Sequence, residues 1–180
     1  MSKYLGGMPL TKAAIAFALK KHDGQFRKVS GLPYIVHVLD VFSIVRKYKD
    51  SNSIDELCAA AILHDTIEDT DTTYEELLEL FGKTVADLVR EVTNDPVRKR
   101  ELGKQVYIEE KLAQLSSWAL VIKLADILSN VGENPAPKAI KRIRHHHDFI
   151  RSIEFPRTLS ATQNAILGEI DRTLRELHAA

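Results

Sequence analysis

Apolar positions recur along this chain at helical spacing, interrupted by short polar or glycine-containing breaks. Residues 10–22 predict a first helix, with Thr11 as N-cap and Ala14, Ile15, Ala18 and Leu19 on one face. A turn-rich, basic loop follows from Asp23 to Pro33. Pro33 suits the first position of a second helix, over 33–49, with Ile35, Val38, Leu39, Phe42 and Val45 facing inward. Ser53 and Glu56 have capping-box spacing and open a third helix over 53–64. A fourth begins at Thr72–Glu76 and stops at Gly82, and a fifth covers 83–93. Asn94-Asp95-Pro96 breaks the chain. A charged helix over 97–115 carries an interruption at Gly103. The apolar run 117–131 fits a buried helix or a strand, and its length favours helix. Gly132–Pro137 reads as a loop, and helices over 138–154 and 159–178 close the chain. No repeat and no strand pair stands out. The pattern predicts an all-α, single-domain bundle spanning 1–180, with about eight to ten helices.

At 180 residues such a bundle can bury a substantial core. Lys plus Arg and Asp plus Glu both number 25, so the formal net charge is zero. That balance argues against a general nucleic-acid binder but leaves room for a local basic pocket. The one cysteine, Cys58, lies in an apolar run and is expected to be a buried, inert thiol. A single cysteine permits no internal disulfide, which fits a reducing, cytoplasmic setting. The N-terminus lacks a signal-peptide core, and no apolar run is long enough to span a bilayer.

One stretch breaks the pattern in a chemically pointed way. Leu63-His64-Asp65-Thr66-Ile67-Glu68-Asp69 places a histidine and three carboxylates within six positions, directly after the apolar run Ala59–Leu63. Desolvating an unpaired carboxylate costs several kcal/mol or more, so these charges need a partner. A divalent cation is the simplest one. If the helix continues, Glu68 and Asp69 follow His64 and Asp65 at i+4 on the same side. His37 stands inside an apolar helix, and Asp126 stands inside the most hydrophobic run of the chain. His37, His64, Asp65 and Asp126 thus form a candidate ligand set. Two imidazoles and two carboxylates suit Mn²⁺, Fe²⁺ or Zn²⁺ better than Mg²⁺, which prefers an all-oxygen shell. Taken singly, each has a plainer explanation: a hydrogen-bonded core histidine, or an aspartate paired with Lys123. The joint pattern favours the metal.

The order of these motifs resembles the HD-domain metal-dependent phosphohydrolases. It is most similar to the (p)ppGpp hydrolase domain of the RelA/SpoT superfamily, in its single-domain small alarmone hydrolase form. The residues that carry the resemblance are His22–Lys28, Ser30-Gly31, Pro33-Tyr34-Ile35, His37, Leu63-His64-Asp65, Glu68-Asp69-Thr70, Phe81-Gly82, Val92-Thr93, Lys123–Asp126 and Asn130, within about 11–132. The resemblance implies Mn²⁺, or another divalent transition metal, on His37, His64, Asp65 and Asp126. It implies that Glu68 and Asp69 activate water and manage the leaving-group proton. Arg27, Lys28 and Ser30 would hold the nucleotide, with Lys123 and Asn130 near the substrate. The implied reaction is metal-assisted release of pyrophosphate from the 3′ position of guanosine tetra- or pentaphosphate, giving GDP or GTP. The implied partner is a small nucleotide, with no nucleic acid and no membrane, and the protein would be a monomer or small homo-oligomer.

Three departures bear on the substrate. Val29 is an extra residue in the basic loop, Ile127 and Ser129 replace residues that are often basic and aromatic, and Gly132–Pro137 continues differently. They keep open two rivals: an HD phosphohydrolase acting on another nucleotide, such as a dNTP or NADPH, and a nucleotide-binding module without turnover. The run His145-His146-His147 is expected to be exposed, because consecutive helical residues point in different directions and cannot chelate one ion. Arg142 or Arg144 could reach the pocket. Ile166, Ile170, Leu174 and Leu177 are read as core.

Overall fold

A computed structural model describes residues 9–49, 54–133, 136–152 and 155–179. Among them are eleven helices and a single isolated β-bridge. The fold is all-α. The chain divides into two compact units, one ending at Thr93 and one starting at Asn94.

The first unit contains α1 (Leu10–Lys21), α2 (Ile35–Tyr48), α3 (Ile54–Leu63), α4 (Thr66–Asp69), α5 (Tyr74–Phe81) and α6 (Lys83–Val92). Helix α3 is its centre and packs against α1, α2 and α6. Every residue from Leu57 to Leu63 is buried. A helix that is apolar all round must be surrounded, and the alanines let its neighbours come close. Cys58 lies on this helix, and burial pushes its thiol up to about 11, so it stays protonated and inert.

The second unit contains α7 (Pro96–Leu102), α8 (Lys104–Gln114), α9 (Ser117–Gly132), α10 (Pro137–Arg151) and α11 (Ala161–Ala179). Helix α9 is the counterpart of α3: it is capped by Ser116, whose side chain accepts from Ala119 N–H, and it packs against α10 and α11. Ile166, Ile170 and Leu174 of α11 are buried as the periodicity requires. No helix of the described residues is long and apolar enough to cross a membrane.

The differences from the sequence reading are local. Helix α1 starts after Pro9 rather than at a Thr11 cap, and buries Leu10, Ala13, Ala14, Phe17 and Ala18 while Leu19 is half exposed. Pro33 does not open α2; it bridges to Phe26 and closes the basic loop, so α2 begins at Ile35 with Tyr34 as its cap. The buried face of α2 is His37, Val38, Val41 and Val45, with Phe42 only partly covered. The charged segment splits at Gly103 into α7 and α8, and together with the short α4 this brings the described helices to eleven. The proposed Ser53 cap lies outside the described residues.

Gly82 joins α5 to α6 with φ 83° and ψ 171°, a region essentially open only to glycine. An added Cβ there would meet nothing within 4 Å. Its cost is therefore backbone strain and not a clash. Gly82→Ala is expected to lower stability by about 1–3 kcal/mol, measured by urea unfolding; an unchanged midpoint would show that α5 and α6 can be joined another way.

Candidate metal and phosphate site

The centre of the first unit's site is a break in helix geometry. Helix α3 ends at Leu63, close to the expected end at residue 64, so the continuation that would have put Glu68 and Asp69 on one side with His64 and Asp65 is absent. Asp65 takes φ −100° and ψ −1° and caps the short α4. Two local bonds hold this corner. Thr66 Oγ1 donates to Leu63 O at 2.7 Å, and His64 Nδ1 lies 2.8 Å from Ala61 O. The corner turns His64 inward, where it is 3 % exposed, and leaves Asp65 facing α2.

His37 and His64 converge on one oxygen. Nε2 of His64 is 2.9 Å from Asp65 Oδ2, and Nε2 of His37 is 3.5 Å from the same atom. The two rings meet edge to face with centroids 5.3 Å apart. A carbonyl only accepts, so His64 Nδ1 must carry a hydrogen toward Ala61 O. In a neutral ring Nε2 is then a bare lone pair. That atom is buried and has no hydrogen-bond partner. A lone pair and a carboxylate oxygen facing each other at 2.9 Å repel unless positive charge joins them, as a proton or a metal ion. The carbonyl-anchored Nδ1 is also the arrangement that orients a metal-ligating histidine. Burial works against the Asp65 carboxylate, yet the His64 and His37 imidazoles hold it well below the usual range. The donor set of this unit fits a divalent ion.

Beside it stand the acidic pair and the basic loop. Glu68 and Asp69 lie on α4 and are exposed. Tyr34, placed by the cap of α2, donates its hydroxyl to Asp65 Oδ2 at 2.6 Å and lies 3.2 Å from Asp69 Oδ2. Burial, followed by the Asp65 and Glu68 charges, raises the Asp69 pKa. The Arg27 guanidinium lies over the Tyr34 ring, 5.8 Å from its centroid. The loop is closed by Arg27 N–H to Leu32 O and Gly31 N–H to Arg27 O, and it leaves Lys28 and Ser30 exposed. The structure thus brings His37, His64, Asp65, Asp69 and Arg27 together through Tyr34.

Two positioning residues had no assigned role in the sequence reading. Tyr34 is one. His22 is the other: it is buried, stacks on Tyr34 at 4.9 Å, and pairs through Nδ1 with Gln25 Oε1 at 2.7 Å. Gln25 Nε2 in turn donates to Asp69 O. Both residues lie in the motif His22–Tyr34, but spacing in a loop carries no sign of which rings will stack.

In the second unit, Asp126 sits on α9 with its carboxylate already engaged. Lys123 Nζ is 2.7 Å from Oδ2, and Asn130 Nδ2 donates to Oδ1 at 2.6 Å and to Asp126 O. The i−3 and i+4 spacing puts both partners on the face of Asp126. Ile127 also reaches the adjacent cleft, whereas Ser129 is buried. The three consecutive histidines are not exposed as expected. Helix α10 packs against α8, α9 and α11, so each successive 100° step meets a neighbour. His145 Nε2 pairs with Glu109 at 2.7 Å, His147 Nδ1 with Asp148 at 3.0 Å, and His146 lines the cleft with Arg142.

Comparison with known proteins follows the same lines. The HD domain family matches residues 14–131, a span that includes parts of both units. A zebrafish (Danio rerio) protein named guanosine-3′,5′-bis(diphosphate) 3′-pyrophosphohydrolase MESH1 is 37 % identical over 147 residues, covering 77 % of this chain and 79 % of its own length. The Aquifex aeolicus guanosine-3′,5′-bis(diphosphate) 3′-pyrophosphohydrolase is 41 % identical over 127 residues, covering 66 % of this chain but only 17 % of its own length. A solved structure described as a metazoan ortholog of SpoT that hydrolyzes ppGpp superposes with a TM-score of 0.73 at 28 % identity, over 94 % of this chain and 96 % of that one. By these matches the chain belongs to the HD domain family of metal-dependent phosphohydrolases.

Proposed function

We propose that this chain is a guanosine-3′,5′-bis(diphosphate) 3′-pyrophosphohydrolase, built as one HD-type domain from both units and working on a small nucleotide in the cytoplasm. The observation that carries the reading is the pair of histidine Nε2 atoms converging on one Asp65 oxygen, with an acidic pair on the next turn. The names of the relatives supply the substrate. His37, His64, Asp65 and Asp126 would hold the metal, with Mn²⁺ the ion best suited to two imidazoles and two carboxylates. When bound, such an ion supplies the charge that polarises a phosphoryl oxygen and eases the loss of a proton from water.

The remaining work falls to side chains. Glu68 accepts a proton from the attacking water. The water oxygen bonds to the phosphorus attached at the 3′ oxygen, the P–O3′ bond breaks, and pyrophosphate leaves. Asp69, next to Glu68 on α4, passes the proton taken from water on to the 3′ oxygen. Tyr34 fixes the spacing of Asp65 and Asp69. Arg27, Lys28 and Ser30 take the nucleotide, and Lys123 and Asn130 orient Asp126 while facing the substrate. A second reading, an HD phosphohydrolase acting on a dNTP or NADPH, is favoured by Ile127, which offers the cleft an apolar surface.

Three outcomes are expected. Mn²⁺ at a hundredfold excess over its Kd should stabilise the protein by about 2.7 kcal/mol, and His64→Ala should remove that gain; calorimetry on both proteins reads it directly, and a metal effect surviving in the variant would put the ion elsewhere. With Mn²⁺ and a panel of nucleotides, product analysis should show pyrophosphate and GDP from guanosine tetraphosphate. Glu68→Gln should keep the metal and lose turnover by about 10²–10⁴-fold. Near-normal turnover in that variant refutes the role of Glu68, and preferred cleavage of a dNTP or NADPH selects the second reading.

A further inference from the structure

The second unit concentrates positive charge around a cleft. Lys99 of α7, Lys104 of α8, Lys123 of α9 and Arg142 of α10 line one space of about 250 Å³. Among the described residues Asp126 is the one acidic residue on its wall, and Lys123 and Asn130 already bond it. The cations disturb one another. The Arg142 charge, followed by burial and by the Lys99 and Lys138 charges, lowers the pKa of Lys104. Like charges gathered this way cost free energy until an anion joins them.

His146 stands among them, one helical turn after Arg142 on α10, and lines the cleft. The charged groups that act on it come from three helices: Lys123 of α9, Lys104 of α8, and Arg142 and His145 of α10 itself. His145 is occupied by Glu109. Burial first, then these cations, push the His146 imidazole down to about 4. The ring is therefore neutral at physiological pH in the empty cleft and offers one N–H.

We propose that His146 takes up a proton when a polyphosphate enters this cleft, and so acts as a specificity-determining residue that favours the more highly charged anion. The inference rests on the reading that the substrate is a polyphosphorylated nucleotide, but it concerns a separate residue and a separate property. The anion offsets the cations that add to burial in keeping the ring neutral and supplies the counter-charge a buried imidazolium needs, and the imidazolium then presents two N–H donors to phosphate oxygens. A ligand with fewer charges screens less and draws the proton less. The sign follows from linkage. Occupancy raises the pKa of the ring above that of the free protein. The extra affinity is then present at pH values below the occupied pKa and lost as pH rises through it. Below about 4 the free ring is protonated too, and the affinity gains nothing further as pH falls.

The test uses the full chain loaded with diamagnetic Zn²⁺, and inorganic pyrophosphate as the probe. Histidine side-chain NMR, assigned with His146→Gln, follows each ring through a pH titration with and without the probe. The midpoint of His146 should rise by about two pH units or more, at least a hundredfold gain in proton affinity, while His145 and His147 move less. Calorimetry should show the affinity ratio of wild type to His146→Gln growing as pH falls from 7.5 to 6, a ratio in which the probe's own protonation cancels. A midpoint unmoved by saturating pyrophosphate, a ring already charged at pH 6 without it, or no pyrophosphate binding overturns the inference. If the ring responds as described but guanosine tetraphosphate is not hydrolysed, the proposed function fails and this inference stands. Hydrolysis with a silent ring gives the reverse.

Discussion

The structure of the first unit depends on one electrostatic constraint. Asp65 carries a carboxylate at the edge of an apolar core, beside two buried imidazoles. Taken out of water, that charge is tolerable only where positive partners meet it. The corner between α3 and α4 exists to make that meeting. It stops an alanine-rich helix at Leu63, anchors His64 to Ala61, and swings Asp65 toward His37 on α2. A straight continuation would send Asp65 100° away from His64. The bend lets both reach one point.

Around this corner the packing is conservative and the polar side chains are interlocked. Helix α3 needs small residues, because α1, α2 and α6 all approach it. The interlocking runs from His22 through Tyr34 to Asp65, and from Gln25 to the backbone of Asp69. Each link ties a loop that would otherwise move to a helix that cannot. The basic loop is positioned by the same ties, since Arg27 rests over the Tyr34 ring. Preorganised polar groups of this kind cost no rearrangement when charge develops in a reaction.

The second unit solves a different electrostatic problem. Its central helix α9 presents Asp126 between Lys123 and Asn130, and the surrounding helices add further cations to the cleft. In the first unit two imidazoles meet one carboxylate oxygen, and in the second four cations line one cleft.

Much of this was legible from residue order alone. Helical periodicity, the glycine stops at Gly82 and Gly103, and the buried run of α9 are local properties, set by backbone preference and by the spacing of apolar side chains. The candidate ligands stood out for the same reason, because His37, Asp65 and Asp126 are polar residues where the pattern demands apolar ones. What residue order could not decide were angles and neighbours. The direction in which the corner after Leu63 aims Asp65, the stacking of His22 on Tyr34 and the turn of His146 into a cleft each depend on how elements pack against one another. A side chain's type is written in the chain, but its partners are chosen by packing, and charge acts through the space that packing leaves.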